Sequence, residues 1–377
     1  MKKALVVLVM VIMMSTNAFA YGIDNVKAAG AVLMDMENGR VLWGKNEDKP
    51  LAMASTTKIM TAIIALEEGD PEDIVTVSKR AAMAPEVDID LSTGDEIKLK
   101  HLLYALMLKS ANDSAVAIAE HIGGSVEGFS DMMNEKAFEM GAFDTEFVTP
   151  NGLDEGDHHS TAEDMALIAS YALKNEKFVE IINKESYSFT TENDKRSFFV
   201  NNTNRLLREY KGAFGVKTGF TVKAGHCFVG AAERDGVSLV SCVLASGWGA
   251  GGKEYKWTDT KAILDYGFEK YKKYSLLEDG LDTGSIGVLN SGTKSIRTEA
   301  DGKVYALLTE EEADNIKIIK VLPKSIEAPV KVGQKVGFIR IYTDDFLLGE
   351  ADILALDEAE RKNIIRIMTQ LLETWVL

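Results

Sequence analysis

Cysteine is almost absent: Cys227 and Cys242 are the only two in 377 residues. That excludes a disulfide scaffold. Both sit in strand-like runs, GHCFVGAA and VSLVSCVLA, joined by ERDG. A four-residue turn there would set the two face to face across a hairpin, where a bridge and two buried thiols both fit. Cysteine packs well as a small hydrophobe, which favours the thiols. Positive charge is also short. Lys and Arg number 42 against 58 Asp and Glu, a net charge of −16. A phosphate backbone needs a basic footprint, so the balance points away from nucleic acid. Fixed-period repeats and low-complexity tracts do not stand out either. What remains is ordinary globular material, 46% hydrophobic and 27% charged, long enough for two domains.

The apolar run near the start, ALVVLVMVIMM, is short for a membrane-spanning helix. Lys2 and Lys3 precede it and Ala18-Phe19-Ala20 follows, a small-x-small cleavage pattern. Residues 1–20 therefore read as a secretory signal peptide, with an uncleaved anchor as the alternative. The protein is expected to work outside the cytoplasmic membrane.

Beyond that leader, AAGAVLMDMENGRVLWGKNEDKPL reads as a hairpin turning at Asn38-Gly39. Helical patterns dominate from Ser55 to about residue 185, over 55–68, 99–108, 127–140 and 161–174. Strands return near Ser186, and a further helix covers roughly 257–273. Strands open the domain, helices fill it and strands close it. The expected fold is α+β, with the terminal strands sharing one antiparallel sheet flanked by helices. After about Ser275 short β-rich segments spaced by turn residues predict a small all-β domain, 276–356. Residues 357–377 read as a last, amphipathic helix. Its stripe of Ile364, Ile365, Met368, Leu371, Leu372 and Trp375, with Arg361, Lys362 and Arg366, suits a membrane surface.

Three short motifs carry the chemistry: Ser55-Thr56-Thr57-Lys58, Ser110-Ala111-Asn112 and Lys217-Thr218-Gly219. Each alone is weak. A second S-x-x-K, Ser291 to Lys294, lies in a turn between β-segments and no K-T-G follows it. The order and contexts of the triple are what is specific. The first motif opens a helix, the second breaks one, and the third ends a strand. A serine hydroxyl needs a base to become a nucleophile. Lys58, one helical turn along, can be that base if burial and a second cation keep it neutral, and Lys217 would be that cation. Ser110 can relay a proton towards the leaving group. Asn112 can hold a substrate amide. Lys217 and Thr218 offer donors to an anion, and Gly219 removes a side chain where substrate must lie along the strand edge. The helix start at Ser55 offers an N–H to an oxyanion. Taken singly, Ser55 is a plain N-cap and Lys217 a solvated strand end. The acidic and histidine-containing stretch DEGDHH, 154–159, fits no common zinc spacing and reads as a polar loop. No metal and no cofactor are called for.

The set resembles the active-site serine penicillin-binding enzymes, most closely the low-molecular-weight D-alanyl-D-alanine carboxypeptidases. KPLAMASTTKIMTAIIALE, LLYALMLKSANDSAVAIAEHIGG, FVTPNGLDEGDHHSTAEDMALIA, NNTNRLL and GVKTGFTVKAGHCFVGAA all look like that family's blocks, spanning roughly residues 28–270. The resemblance implies a transpeptidase-like catalytic domain over 21–275. It implies acyl-enzyme chemistry at Ser55 on stem peptides of peptidoglycan ending in D-Ala-D-Ala. β-Lactams would be covalent inhibitors, and the tail would hold the enzyme peripherally on the outer face of the membrane. The backbone N–H of Phe220 would be the second oxyanion donor. Phe220 stands where some relatives carry histidine. Lys256 matches an arginine of some relatives that pairs with the substrate's terminal carboxylate. A β-lactamase and a non-catalytic cell-wall binding protein are the competing readings. Class A β-lactamases carry Ser-Asp-Asn at the second motif and a glutamate that activates water. Here that motif is Ser-Ala-Asn, and Glu163 is the nearby carboxylate.

Overall fold

The computed structural model describes residues 22–193, 195–362 and 368. Five strands form an antiparallel sheet: β1 (Gly30–Asp35), β2 (Val41–Lys45), β3 (Ala213–Thr221), β4 (Gly225–Arg234) and β5 (Val237–Leu244). Their order is β2-β1-β5-β4-β3, so the two ends of the domain do share one sheet. Both faces are covered. Val32, Met34, Val240 and Cys242 pack with Ile59, Ile63 and Met165 on one side. Ala31, Leu33, Leu239 and Val243 pack with Trp257, Ile263 and Leu264 on the other. Both strands are buried along their whole length, which is why neither shows a regular alternation of apolar and polar residues.

Helices α1 (Lys58–Glu68), α2 (Asn112–Gly123), α3 (Val126–Met140), α4 (Ala162–Ala172) and α5 (Glu176–Asn183) precede β3 in the chain. α1 is buried from Lys58 through Ala65. Thr161 caps α4 by accepting the Asp164 N–H at 3.0 Å. The last helix of the domain, α6 (Gly249–Lys270), starts well before the expected 257. The residues GAGG read as helix breakers, but tertiary packing overrides that propensity. A Cβ on Gly252 would lie 2.3 Å from the Gly247 backbone, so the first turn of α6 needs glycine to approach the preceding loop.

Two expectations about β-structure need correction. The β4–β5 turn holds two residues, Asp235 and Gly236, both at positive φ, and not four. This pairing places Val229, not Cys227, opposite Cys242, and both thiols are free and buried. The strands Ser186–Thr190 and Ser197–Asn201 pair only with each other, outside the main sheet.

The C-terminal region is all-β apart from one short helix. It comprises β6 (Lys272–Leu277), β7 (Asp282–Leu289), β8 (Ser295–Asp301), β9 (Val304–Leu308), β10 (Lys317–Val321), β11 (Ser325–Glu327), β12 (Lys335–Thr343) and β13 (Phe346–Ala355). Six of these form a sheet in the order β10-β12-β13-β8-β7-β11, over a separate core that includes Ile286, Ile296, Ile341 and Ile353. Arg40 ties the two domains by donating to the Leu307 carbonyl at 3.0 Å and pairing with Glu312. The expected terminal helix does not begin at 357. Residues 357–362 are extended, with bridges from Ala359 to Val330 and from Arg361 to Ser291. Their backbone is held by the β-domain, which competes with helix formation. Apart from Met368, the apolar stripe of the tail lies outside the described residues, as do residues 1–20.

Candidate active site

The chain enters α1 through a 3-10 turn, Ala54–Thr57. Ser55 is therefore not a plain N-cap, the bland alternative that its sequence position allowed. Met53 holds that position, and Ser55 sits inside the turn with its hydroxyl free for other partners. Lys58 follows as the first residue of α1 and is fully buried. Its Nζ lies 2.8 Å from Ser55 Oγ, 2.7 Å from Asn112 Oδ1 and 2.5 Å from the Asn151 carbonyl. Burial, and then the charge of Lys217, hold the Lys58 amine well below the ordinary lysine range. A neutral amine has two N–H donors and one lone pair. In that form the Asn112 and Asn151 oxygens can take both donors, which frees the lone pair to receive the Ser55 proton as Oγ attacks.

Two glycines bring the neighbouring segments onto this turn. Gly219, at the end of the third motif, passes so close that a Cβ would meet Ser55 N, Met53 O and Ala54 Cβ at 3.1 Å each. The missing side chain lets β3 pack on the Ser55 turn. Gly152, at φ +83°, is tighter still: a Cβ there would lie 2.0 Å from the Ala54 carbonyl oxygen.

The second motif ends a π-helical turn, Ala105–Lys109. Ser110 has φ +70°, which breaks the helix and starts α2 in a new direction. Among the described residues its hydroxyl makes no hydrogen bond. Asn112 is engaged at both ends, since Oδ1 receives Lys58 and Nδ2 donates to the Pro85 carbonyl at 2.8 Å. One amide hydrogen is left for a ligand.

Lys217 is buried in β3 and donates to the Thr218 carbonyl at 2.9 Å. Burial and the Lys256 charge push its amine down to about 7. Lys256, on α6, is itself buried and pushed down to about 8, chiefly by desolvation. Among the described residues neither lysine has a carboxylate partner. Buried cations without a counterion are costly, so the pair is a ready anion site. The Phe220 ring is exposed and lies 4.4 Å from the His226 ring.

Known proteins share this arrangement at three levels: family profile, sequence and structure. A family profile described as D-alanyl-D-alanine carboxypeptidase matches residues 16–247. A second, described as the C-terminal domain of penicillin-binding protein 5, matches residues 271–361. The chain belongs to the D-alanyl-D-alanine carboxypeptidase family. It is 31% identical over 355 residues to the D-alanyl-D-alanine carboxypeptidase DacF of Bacillus subtilis, covering 93% of this chain and 90% of that one. It is 33% identical to a D-alanyl-D-alanine carboxypeptidase of a Streptomyces species, over 67% of this chain and 91% of that one. The crystal structure of penicillin-binding protein 5 from Haemophilus influenzae superposes with a TM-score of 0.73 at 27% identity. It covers 89% of this chain and 98% of that one.

This member of the D-alanyl-D-alanine carboxypeptidase family also uses residues that no motif marked. Asn151 contributes only its carbonyl, which receives Lys58 and, at 3.3 Å, the Ser55 hydroxyl. A backbone contact leaves no side-chain pattern to read. His158, assigned above to a polar loop, is instead buried. Its Nδ1 accepts the Val148 N–H at 3.0 Å, so Nε2 carries the proton and donates to Thr57 Oγ1 at 2.9 Å. Thr57 in turn donates to the Ala54 carbonyl. His158 thereby pins the 148–152 loop to the Ser55 turn. Its neighbour His159 faces outward, and among the described residues no group of His, Cys, Asp or Glu could hold a metal.

Burial pushes His158 down from 6.5 to about 4. Because the folded value is the lower one, the unfolded chain takes up the proton first as pH falls. Stability is therefore full above about pH 6.5 and declines by about 3 kcal/mol as pH falls towards about 4. Urea midpoints measured across this range should drop, and His158→Asn should flatten the drop. A midpoint that the histidine substitution leaves equally pH-dependent would remove His158 from this role.

Proposed function

We propose that this chain is a serine D,D-carboxypeptidase that removes the terminal D-alanine of peptidoglycan stem peptides through an acyl-enzyme on Ser55. The observation that carries this reading is the buried Lys58 amine 2.8 Å from Ser55 Oγ. Lys58 takes the Ser55 proton as Oγ attacks the carbonyl carbon of the penultimate D-alanine. The N–H groups of Ser55 and Phe220 receive the oxyanion. The proton passes by way of Ser110 to the departing amine, the C–N bond breaks, and an ester remains on Ser55. Water then hydrolyses the ester and frees the serine. Lys217, Thr218 and Lys256 receive the substrate's terminal carboxylate, and Asn112 offers its remaining amide hydrogen to the acyl part.

The division into catalytic domain 21–275, β-domain 276–356 and a tail from 357 belongs to the same reading. So do export by residues 1–20 and peripheral attachment through the part of the tail beyond 362. Among the described residues no helix is long and apolar enough to cross a membrane.

A β-lactamase would need a carboxylate to activate water at the ester. Burial raises Glu163, but the charges that act on it are Asp164, Glu47, Asp48 and Asp144, and its backbone pairs with Glu47. That cluster is not the Ser55 site. The test is incubation with a D-Ala-D-Ala peptide and, separately, with labelled penicillin. D-Alanine release with persistent labelling is expected. Rapid penicillin turnover, or neither activity, would overturn the proposal.

Lys256 gives a second handle. Lys256→Ala should lower kcat/KM for a peptide with a free C-terminus by about tenfold or more, the worth of a charge-assisted hydrogen bond. Penicillin acylation should fall less. Lys256→Arg should keep or improve peptide turnover, since a guanidinium grips a carboxylate with two hydrogen bonds. Equal losses on peptide and penicillin would point to a folding effect instead.

A further inference from the structure

The turn between β3 and β4 and the start of α6 together carry an apolar ledge whose side chains the reaction does not use. Val222 is 84% exposed and Trp248 56%, and Phe220 and Tyr255 are exposed as well. Open apolar side chains gathered in one place mark a contact surface. The ledge is built, not loose. Trp248, the N-cap residue of α6, donates its indole Nε1–H to the Val222 carbonyl at 2.8 Å. Its ring lies over Gly225, where a Cβ would come within 3.0 Å of it. The Tyr255 ring packs against Gly247 and Gly251, and a Cβ on either would lie 3.5 Å from it. Phe220 leans on His226, ring to ring at 4.4 Å. Among the described residues the Tyr255 hydroxyl makes no hydrogen bond. Rings held in place before a ligand arrives lose little freedom when it binds.

We propose that this ledge binds the glycan to which the stem peptide is attached, with the ring of an N-acetylated hexosamine laid against Trp248 and Tyr255. The proposal rests on the reading of Ser55 given above. Lys217 and Thr218 hold the terminal carboxylate, and Gly219 lies against Ser55, so position along β3 orders the substrate. The acyl part leaves in the opposite sense to the carboxylate, past Phe220 and towards Val222. The strand from Gly219 to Val222 covers about 10 Å. A few extended stem residues cover the same span, and the sugar that follows them arrives at the ledge. A pyranose ring with equatorial substituents presents axial C–H bonds on its faces, and these sit on the negative faces of aromatic rings. The sugar's hydroxyl and acetamido groups stay at the rim, where the Tyr255 hydroxyl offers one hydrogen bond. A second copy of the chain suits the ledge less well, because a net charge of −16 on each molecule opposes self-association.

One stem peptide ending in D-Ala-D-Ala tests this on the full chain in two forms, N-acetylated and joined to the disaccharide of N-acetylglucosamine and N-acetylmuramic acid. D-Alanine release gives kcat/KM for each, and penicillin acylation is measured in parallel. The disaccharide form should exceed the N-acetylated one by about tenfold, the worth of a well-placed aromatic contact. Trp248→Ala should erase most of that advantage, and Tyr255→Ala part of it. Neither should change kcat/KM for the N-acetylated peptide or penicillin acylation. Trp248→Phe should keep part of the advantage, because a ring face remains. If Trp248→Ala also slows penicillin, the loop has moved, and Tyr255→Ala decides, since it breaks no side-chain hydrogen bond among the described residues. Equal kcat/KM for the two forms overturns the proposal, and so does an advantage that survives both alanine substitutions. A dimer at assay concentration that Trp248→Ala dissolves also overturns it, since a second copy would then hold the ledge. Loss of D-alanine release from both forms together with penicillin acylation in the unmodified protein overturns the reading of Ser55 itself, and the ledge proposal with it.

Discussion

Ser55→Ala is expected to abolish both penicillin labelling and D-alanine release while leaving the fold intact. The substitution removes one oxygen from a 3-10 turn whose cap is Met53, so no helix cap is lost. The hydroxyl's contacts are Lys58 Nζ at 2.8 Å and the Asn151 carbonyl at 3.3 Å. Lys58 keeps its two other hydrogen bonds after the change. The stability change should stay within about 1 kcal/mol, the net worth of one ordinary hydrogen bond. Thermal unfolding and labelling on the same preparation check both halves. A variant that still labels would mean that another nucleophile carries the chemistry. Ser291→Ala should be silent, because Ser291 donates to the Glu360 carbonyl at 2.7 Å and its site is in the β-domain.

Lys58→Ala should slow acylation by about a hundredfold to ten-thousandfold, the usual contribution of a positioned general base. This change reaches further into the fold than the first. It empties a buried volume and leaves Asn112 Oδ1 and the Asn151 carbonyl without a donor, at about 1–3 kcal/mol for each unsatisfied group. Two companions separate base from filler. Lys58→Met keeps most of the volume and removes the base. Lys58→Arg keeps a donor, but a guanidinium stays protonated and cannot accept the serine proton. Both should remain as slow as alanine in stopped-flow acylation. An arginine variant that acylates at the parent rate would move the base elsewhere.

The residues that meet at this site come from segments that the sequence shows only as separate patterns. Ser55 and Lys58 are legible because three residues of spacing place them on one helix face. Lys217 is legible as a strand residue, although β3 runs on to Thr221 and does not end at the motif as expected, and Asn112 is legible as the restart of a helix. What joins them is carried by groups without a side-chain signature. The Asn151 carbonyl, the φ of Ser110, and the absence of a Cβ at Gly152 all act through the backbone. His158 is hidden for another reason. Its neighbours Asp154, Glu155, Asp157 and His159 make the stretch read as solvated, while the ring is buried against the Ser55 turn and the segment from Phe147 onward. At the level of the fold, one sheet shared by both ends of the domain follows from the strands at those ends, while the order of its strands does not. The β4–β5 register did not, because ERDG supports a two- or a four-residue turn, and left-handed Asp235 decides for the shorter. The start of α6 at Gly249 is not legible, because glycine disfavours a helix and only the close packing of Gly252 on Gly247 explains its use there.

The most direct test of acyl-enzyme chemistry at Ser55 is mass mapping of the protein after brief incubation with a penicillin. One adduct, on the peptide that contains Ser55 and absent in Ser55→Ala, is the expected result. An adduct on any other residue, or one that persists in Ser55→Ala, would contradict it.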